Sequence, residues 1–171
     1  MSSDTFIDNT GEDMKKYEEV TLTLYFANVT GDKLIKMNRT LRYNTNIALE
    51  KLVVEQLVSG PLNNKGKEDI QVLPTINSGT KIINVSIKDG ICYVNLDSTF
   101  KNQDYSILEP IVIYSIVNSL SEISTISQVQ ISVNGDNSGT YRDSYKLSEA
   151  YTRNLDYVTT LEEESKETET T

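Results

Sequence analysis

The dipeptide Asp89-Gly90, set between two runs of alternating apolar residues, constrains this chain more than any other feature. Two-residue hairpin turns of the favoured kind need left-handed backbone at their centre, and Asp-Gly supplies it. Ile82 to Lys88 leads into the turn and Ile91 to Asp97 leads out. Pairing outward sets Ile87 opposite Cys92, Val85 opposite Val94 and Ile83 opposite Leu96, all six on one face. Ser86 with Tyr93 and Asn84 with Asn95 take the other face. Turn chemistry and alternation select the same register, and a slip of one residue would carry the whole apolar set into water. Whatever else the chain does, it must cover that apolar face.

The flanking sequence supplies the cover. Upstream, Val20 to Ala27 alternates as a strand, with Val20, Leu22, Leu24 and Phe26 on one face and Thr21, Thr23 and Tyr25 on the other. Asn28 to Asp32, with Gly31, makes a turn into a second strand, Leu34 to Tyr43. Arg39 interrupts its apolar face, which suits an edge position. Asn44, Thr45 and Asn46 offer alternative N-caps to a helix in which Ala48, Leu49, Leu52, Val53, Gln56 and Leu57 recur at helical spacing. Gly60 and Pro61 stop that helix. Asn63 to Ile70 reads as a polar loop, and Pro74 to Thr80 as a connection into the hairpin.

Beyond the hairpin, Ser106 to Glu109 has the spacing of a capping box. The helix that follows runs to about Ile123, with Pro110 tolerated in its first turn and Ile113, Ile116, Val117 and Leu120 inward. A last strand, Val129 to Asn134, turns Val129, Ile131 and Val133 inward and ends at Gly135. Leu147 to Leu155 has the composition of a short helix packed on the body. The order is β-β-α-β-β-α-β. It predicts an α+β fold, a two-layer sandwich with two helices packed on one mostly antiparallel or mixed sheet.

Charge separates the body from its ends. Of the formal −9, residues 1–19 hold six acids against two bases and residues 161–171 hold five Glu against one Lys, so the body is left at −1. Residues 1–18 therefore read as a flexible acidic lead-in, residues 19–157 as the folded domain, and residues 158–171 as a disordered acidic tail. At 171 residues one core can bury roughly 70% of the unfolded chain's surface, so folding needs neither metal nor disulfide. No basic run exists, which sets nucleic acid aside as a partner. No window of 18 apolar residues is available to cross a membrane. The first ten residues are too polar for a signal peptide, so the protein is cytoplasmic or begins after a removed signal.

Several segments together resemble the GerM (GerMN) domain family of sporulation and spore germination, from spore-forming Firmicutes of the Clostridium kind. They are the strand LTLYFAN, the helix LEKLVVEQLVSGP (Leu49 to Pro61), the connection LPTINSGTKI (Leu73 to Ile82), the hairpin VSIKDGICYVNLDSTF (Val85 to Phe100), the segment YSIVNSLSEISTISQVQISVNG (Tyr114 to Gly135) and YTRN (Tyr151 to Asn154). The resemblance spans about Thr21 to Asp156. It implies a non-catalytic, extracytoplasmic domain, often a lipoprotein in full-length form, that acts in the cell envelope by protein–protein contact. The partners it implies are envelope or sporulation proteins and self-association, with peptidoglycan or another carbohydrate as the alternative ligand. The membrane enters only through a removed N-terminal lipid anchor. The lipobox cysteine is missing from this sequence.

The sequence yields no catalytic, cofactor-binding or metal-ligating residue set, and no cofactor is expected. With no His, the usual base of a nucleophilic triad is missing. Zinc would have one Cys and no His to draw on. The glycines are scattered and form no phosphate loop. Asp97, Asp104 and Glu109 lie close in sequence and define the hydrolase alternative, against a plainer reading as strand end, loop and helix cap. Asp136 to Asp143 offers oxygen atoms to calcium but lacks the spacing of a known loop. Cys92 reads as a buried, inert thiol. Asn118 reads as a local hydrogen-bonding residue, at a position where the family pattern favours Asn. The sheet face with Asn84, Tyr93 and Asn95 is either an open partner surface or is covered by residues 136–157.

Overall fold

The fold is that of a computed structural model, which describes residues 16–62, 72–102 and 106–170. Strands β1 (Tyr17–Asn28) and β2 (Leu34–Asn44) form a long antiparallel ribbon. Helix α1 (Leu49–Ser59) follows, then β3 (Val72–Leu73) and the hairpin β4 (Ile82–Lys88) and β5 (Ile91–Leu96). A 3-10 turn (Ser98–Lys101) precedes α2 (Glu109–Ser121), β6 (Gln128–Val133), β7 (Val158–Thr159) and α3 (Leu161–Thr170).

The α+β class and the expected run of strands and helices are present, but the strands divide between two sheets. One has the order β3-β1-β2-β7 and the other β4-β5-β6. Helices α1 and α2 touch both: α1 packs on β1 and β4, and α2 on β1 and β6. Helix α2 is buried almost all round, at Ile111, Val112 and Ile113 and again from Ser115 to Leu120. Each fully buried Ile, Val or Leu there contributes roughly 1.5–3 kcal/mol relative to exposure, so this helix is the centre of the core.

The division of the sheet has a visible cause. Strand β1 pairs with β3 only at Ala27 and Asn28. At Tyr25 its edge is taken over by α2: the Tyr25 N–H donates to Ser119 Oγ at 2.9 Å, and Ser115 Oγ donates to the Tyr25 carbonyl. Residues four apart lie one above the other on a helix, so this serine pair serves both groups of one strand residue. A helix occupies the place where a strand of the second sheet would have continued the first.

The hairpin register is as expected from Val85–Val94 to Ile87–Cys92 but changes at its open end. Ile82, not Ile83, faces Leu96, because a bulge lies between Ile82 and Asn84. Ile83 is consequently 51% exposed instead of joining the apolar face. Three other expectations are corrected. Helix α1 starts after Ala48, with no side-chain cap from Asn44, Thr45 or Asn46; Asn44 instead accepts the Asn46 N–H in a local turn. Helix α2 starts after Leu108 without a side-chain cap, so Ser106 and Glu109 do not form a capping box. Leu147 to Leu155 is not helical; Tyr151 bridges to Val129 of β6. Regular secondary structure extends past both of the boundaries read from charge. Tyr17 and Glu18 belong to β1, and β7 and α3 lie within residues 158–170. The polar loop read at Asn63 to Ile70 lies outside the described residues.

The β1–β2 turn is built around Asn28, which is 1% exposed. Its Oδ1 accepts the N–H groups of Asp32 and Lys33, both at 3.0 Å, and its Nδ2 donates to Thr30 Oγ1, Asp32 Oδ1 and Glu164 of α3. Gly31 holds φ +75°, and a Cβ there would lie 2.0 Å from the Ser106 carbonyl oxygen. The turn thus requires glycine for both its backbone and its packing.

Candidate protein-contact surface

Of the carboxylates that define the hydrolase alternative, Asp97 and Glu109 are occupied by backbone. Asp97 caps the 3-10 turn: its Oδ1 accepts the Thr99 N–H at 3.2 Å and the Lys81 N–H at 3.0 Å. Glu109 accepts the N–H groups of Arg142, Ser144 and Tyr145 at 3.0–3.2 Å. Burial alone would raise its pKa, but those donors outweigh burial and hold the carboxyl below its ordinary value. A general acid must hold a proton at working pH, and this arrangement opposes that. Asp104 lies outside the described residues. Asp136 is turned onto its own loop, accepting from the Ser138 N–H and Oγ. Among the described residues, no group of three or more His, Cys, Asp or Glu is placed to hold a metal ion.

Cys92 lies on the inner face of β5, fully buried, and burial together with the charge of Glu50 pushes its thiol up to about 12. Asn118 is also fully buried, but its partner is distant in sequence rather than local. Its Nδ2 donates to the Asn154 carbonyl at 2.8 Å, and its Oδ1 accepts the Asn154 N–H at 3.0 Å. One amide side chain thereby ties the C-terminal segment to the central helix. The same segment is packed by a tyrosine cluster on α2: Tyr114 stacks on Tyr157 at 5.8 Å and meets Tyr145 edge-on at 5.9 Å, while Tyr145 lies 5.6 Å from Tyr151. Burial, followed by the neighbouring Glu149 and Tyr114, raises the Tyr151 phenol to about 12. Sequence reading misses this cluster because three of its members fall in a segment without periodicity. Their one available signal is the density of Tyr in residues 141–157.

The second sheet remains open on one side. Its inner face carries Val85, Cys92, Val94, Leu96, Val129, Ile131 and Val133, all buried. On its outer face Asn84, Ser86 and Tyr93 are exposed. Residues 136–157 leave Asn84, Ser86 and Tyr93 exposed and reach this face only at β6. They run along the far edge of β6, where Tyr151 and Val129 exchange N–H···O bonds of 2.9 and 2.8 Å and Gln130 donates to the carbonyls of Leu147 and Ser148. The edge of β6 is thus closed while the edge of β4 carries no strand among the described residues. That edge also presents Ile83, turned outward by the bulge. An unpaired strand edge, an exposed apolar side chain and a polar face therefore lie side by side there.

The molecule is a small α+β domain with two sheets, with Asp97 and Glu109 committed to its own backbone and the β4 edge unpaired among the described residues. The chain belongs to the Germane family, described as sporulation and spore germination, whose family model matches residues 23–139. Its fold resembles three solved structures. The tandem GerMN domains of the sporulation protein GerM from Bacillus subtilis match with a TM-score of 0.64 at 22% identity, over 82% of this chain and 48% of that one. The first GerMN domain of the same protein matches with a TM-score of 0.60 at 20% identity, over 78% and 98%. A lipoprotein candidate from Clostridium perfringens matches with a TM-score of 0.52 at 20% identity, over 78% and 87%. The chain thus spans about half of the tandem-domain structure. No curated protein matches its sequence.

Proposed function

We propose that this domain is a non-catalytic assembly module of the cell envelope in sporulation or spore germination, working by protein–protein contact outside the cytoplasm. In this reading the full-length form is anchored as a lipoprotein, and its partners are envelope or sporulation proteins. The observation that carries the proposal is the open β4 edge with the outward-turned Ile83 in a member of a sporulation family. The commitment of Asp97 and Glu109 to backbone donors supports the non-catalytic part. The test is a pull-down from sporulating cell envelopes read by mass spectrometry, comparing the native domain with Ile83→Lys. Enrichment of envelope sporulation proteins by the native domain, lost in the variant, is expected. Enrichment of cytoplasmic proteins alone, or identical recovery by both baits, counts against the proposal.

One observation favours a second reading as a peptidoglycan or carbohydrate binding module. Tyr93 is exposed on the sheet face beside Asn84 and Ser86, an arrangement of ring and hydrogen-bonding groups suited to sugar. Retention on purified sacculi, reduced by Tyr93→Ala, would replace contact with protein by contact with wall. Retention no greater than that of a control protein removes this reading.

A further inference from the structure

Arg39 is the one charged side chain among the buried residues described, at 8% exposure. It reaches from β2 to the C-terminal end of α1. Its Nη1 donates to Gln56 Oε1 at 3.0 Å and to the Gln56 carbonyl at 3.4 Å, and its Nη2 donates to the Gly60 carbonyl at 2.7 Å. The guanidinium also sits 5.7 Å from the centre of the Phe26 ring. All of these partners are neutral. A helix C-terminus supplies about half a negative charge, which compensates a buried cation only in part. A guanidinium has five N–H donors, and these contacts engage three. Nε–H and one Nη2–H are left for a further acceptor. Arg39 is 8% exposed, so the guanidinium keeps a small contact with the surface.

A cavity of about 200 Å³ opens beside this group, walled by Leu24, Phe26, Met37, Pro61 and Leu62, with Arg39 and Asn38 as its polar members. One cation in an otherwise apolar wall selects a ligand with one negative end and an apolar remainder. A carboxylate fits the planar fork with two parallel hydrogen bonds. A phosphate would leave its remaining oxygens facing hydrocarbon, which is costly.

We propose that this cavity binds a carboxylate carried on a short apolar stem. The carboxylate pairs with Arg39 and the stem lies against Met37, Pro61 and Leu62. The site is separate from the β4 edge and does not depend on how that edge is used.

The probe is 4-methylpentanoate, titrated into the labelled domain and followed by proton–nitrogen NMR, including the Arg39 Nε–H signal. Saturable shifts are expected at Arg39 Nε–H and at the amides of Met37 and Leu62. The alcohol 4-methylpentanol has the same stem without the charge and should leave the Arg39 signal in place. Arg39→Met should weaken binding at least tenfold. Because that change also removes the cap on α1, Leu62→Asp is the second variant. Leu62 is 71% exposed, so the fold tolerates the change while the new carboxylate repels the ligand. N-acetyl-leucine distinguishes the source: binding by it shows that the site accepts the C-terminus of a peptide, and binding by 4-methylpentanoate alone limits the site to free small acids. The proposal is overturned if no saturable shift appears, if the alcohol shifts the same signals equally, or if affinity is unchanged in Leu62→Asp and Arg39→Met.

Discussion

Replacing Asn118 by Leu tests whether the C-terminal segment is part of the cooperative unit or an attachment to it. The two side chains are close in size, so the change is chiefly the loss of two hydrogen bonds. Asn118 is 0% exposed, and its amide serves both backbone groups of Asn154, 36 residues away. A protein hydrogen bond contributes about 1 kcal/mol net, and a donor or acceptor left unpaired costs about 1–3 kcal/mol. Asn154 is half-buried, so water can repair part of the loss. A destabilisation of about 3 kcal/mol follows, which lowers Tm by roughly 6–12 °C in a chain of this size. Urea unfolding followed by circular dichroism gives the free energy, and hydrogen exchange at the Asn154 amide reports the local effect. Loss of exchange protection in residues 151–158 together with the global shift is the expected pattern. A change below about 0.5 kcal/mol, typical of an ordinary surface substitution, would refute the idea that this amide joins the segment to α2.

Three shorter predictions follow from the same geometry. Gly31→Ala would set a Cβ 2.0 Å from the Ser106 carbonyl at φ +75°, so the turn must open; unfolding should show a loss of at least about 2 kcal/mol, above the cost of left-handed backbone alone. Cys92, with its thiol pushed up to about 12, should resist a disulfide reagent at pH 8 in the native protein and react at once in denaturant; equal rates would show that β5 is accessible. Glu109 is held below its ordinary pKa by the backbone donors of residues 142–145, so its contribution is present above the unfolded value and is lost as pH falls through the lower, folded one. Acid unfolding of Glu109→Gln should therefore be shallower than that of the native protein below about pH 4.3, the ordinary range of the group.

What the sequence discloses is whatever is encoded by neighbours. Asp89-Gly90 with its alternating flanks determines the β4–β5 register over most of its length, and Gly60-Pro61 marks the end of α1. The fate of Ile83 is not legible, since the bulge depends on how Ile82 meets Leu96 across the sheet. Glu109 illustrates the same limit. Its spacing from Ser106 matches a capping box, yet its carboxylate reaches residues 142–145, a loop that no local pattern could have brought there. Arg39 reads as an edge residue from its break in the apolar alternation. Much of β2 does lack an outer neighbour, as β7 covers only Leu34 and Ile35, but the side chain itself is turned inward onto α1. The acidic end reads as disorder from its composition. Composition gives no sign of the anchor, which is Glu164 meeting Asn28 in the turn of the first ribbon.

These departures have a common form. At Tyr25, Asn28, Glu109 and Asn118, side-chain or backbone polar groups are satisfied across 33 residues or more of sequence. Those at Glu109 and Asn118 join a segment without strong local preference to the central helix, and that at Tyr25 joins a strand to the same helix. Each such hydrogen bond contributes about 1 kcal/mol net, and more where its loss leaves a buried group unpaired. Their effect is to determine which edges are closed. The far edge of β6 is closed by Tyr151, and the edge of β1 is served at Tyr25 by Ser115 and Ser119. The edge of β4 receives no such cover among the described residues, and the bulge there brings an apolar side chain to the surface instead of removing one. Much of β2 also lacks an outer neighbour, but at β4 an unpaired edge coincides with an outward-turned apolar side chain, Ile83, which is the physical basis for proposing β4 as the binding edge.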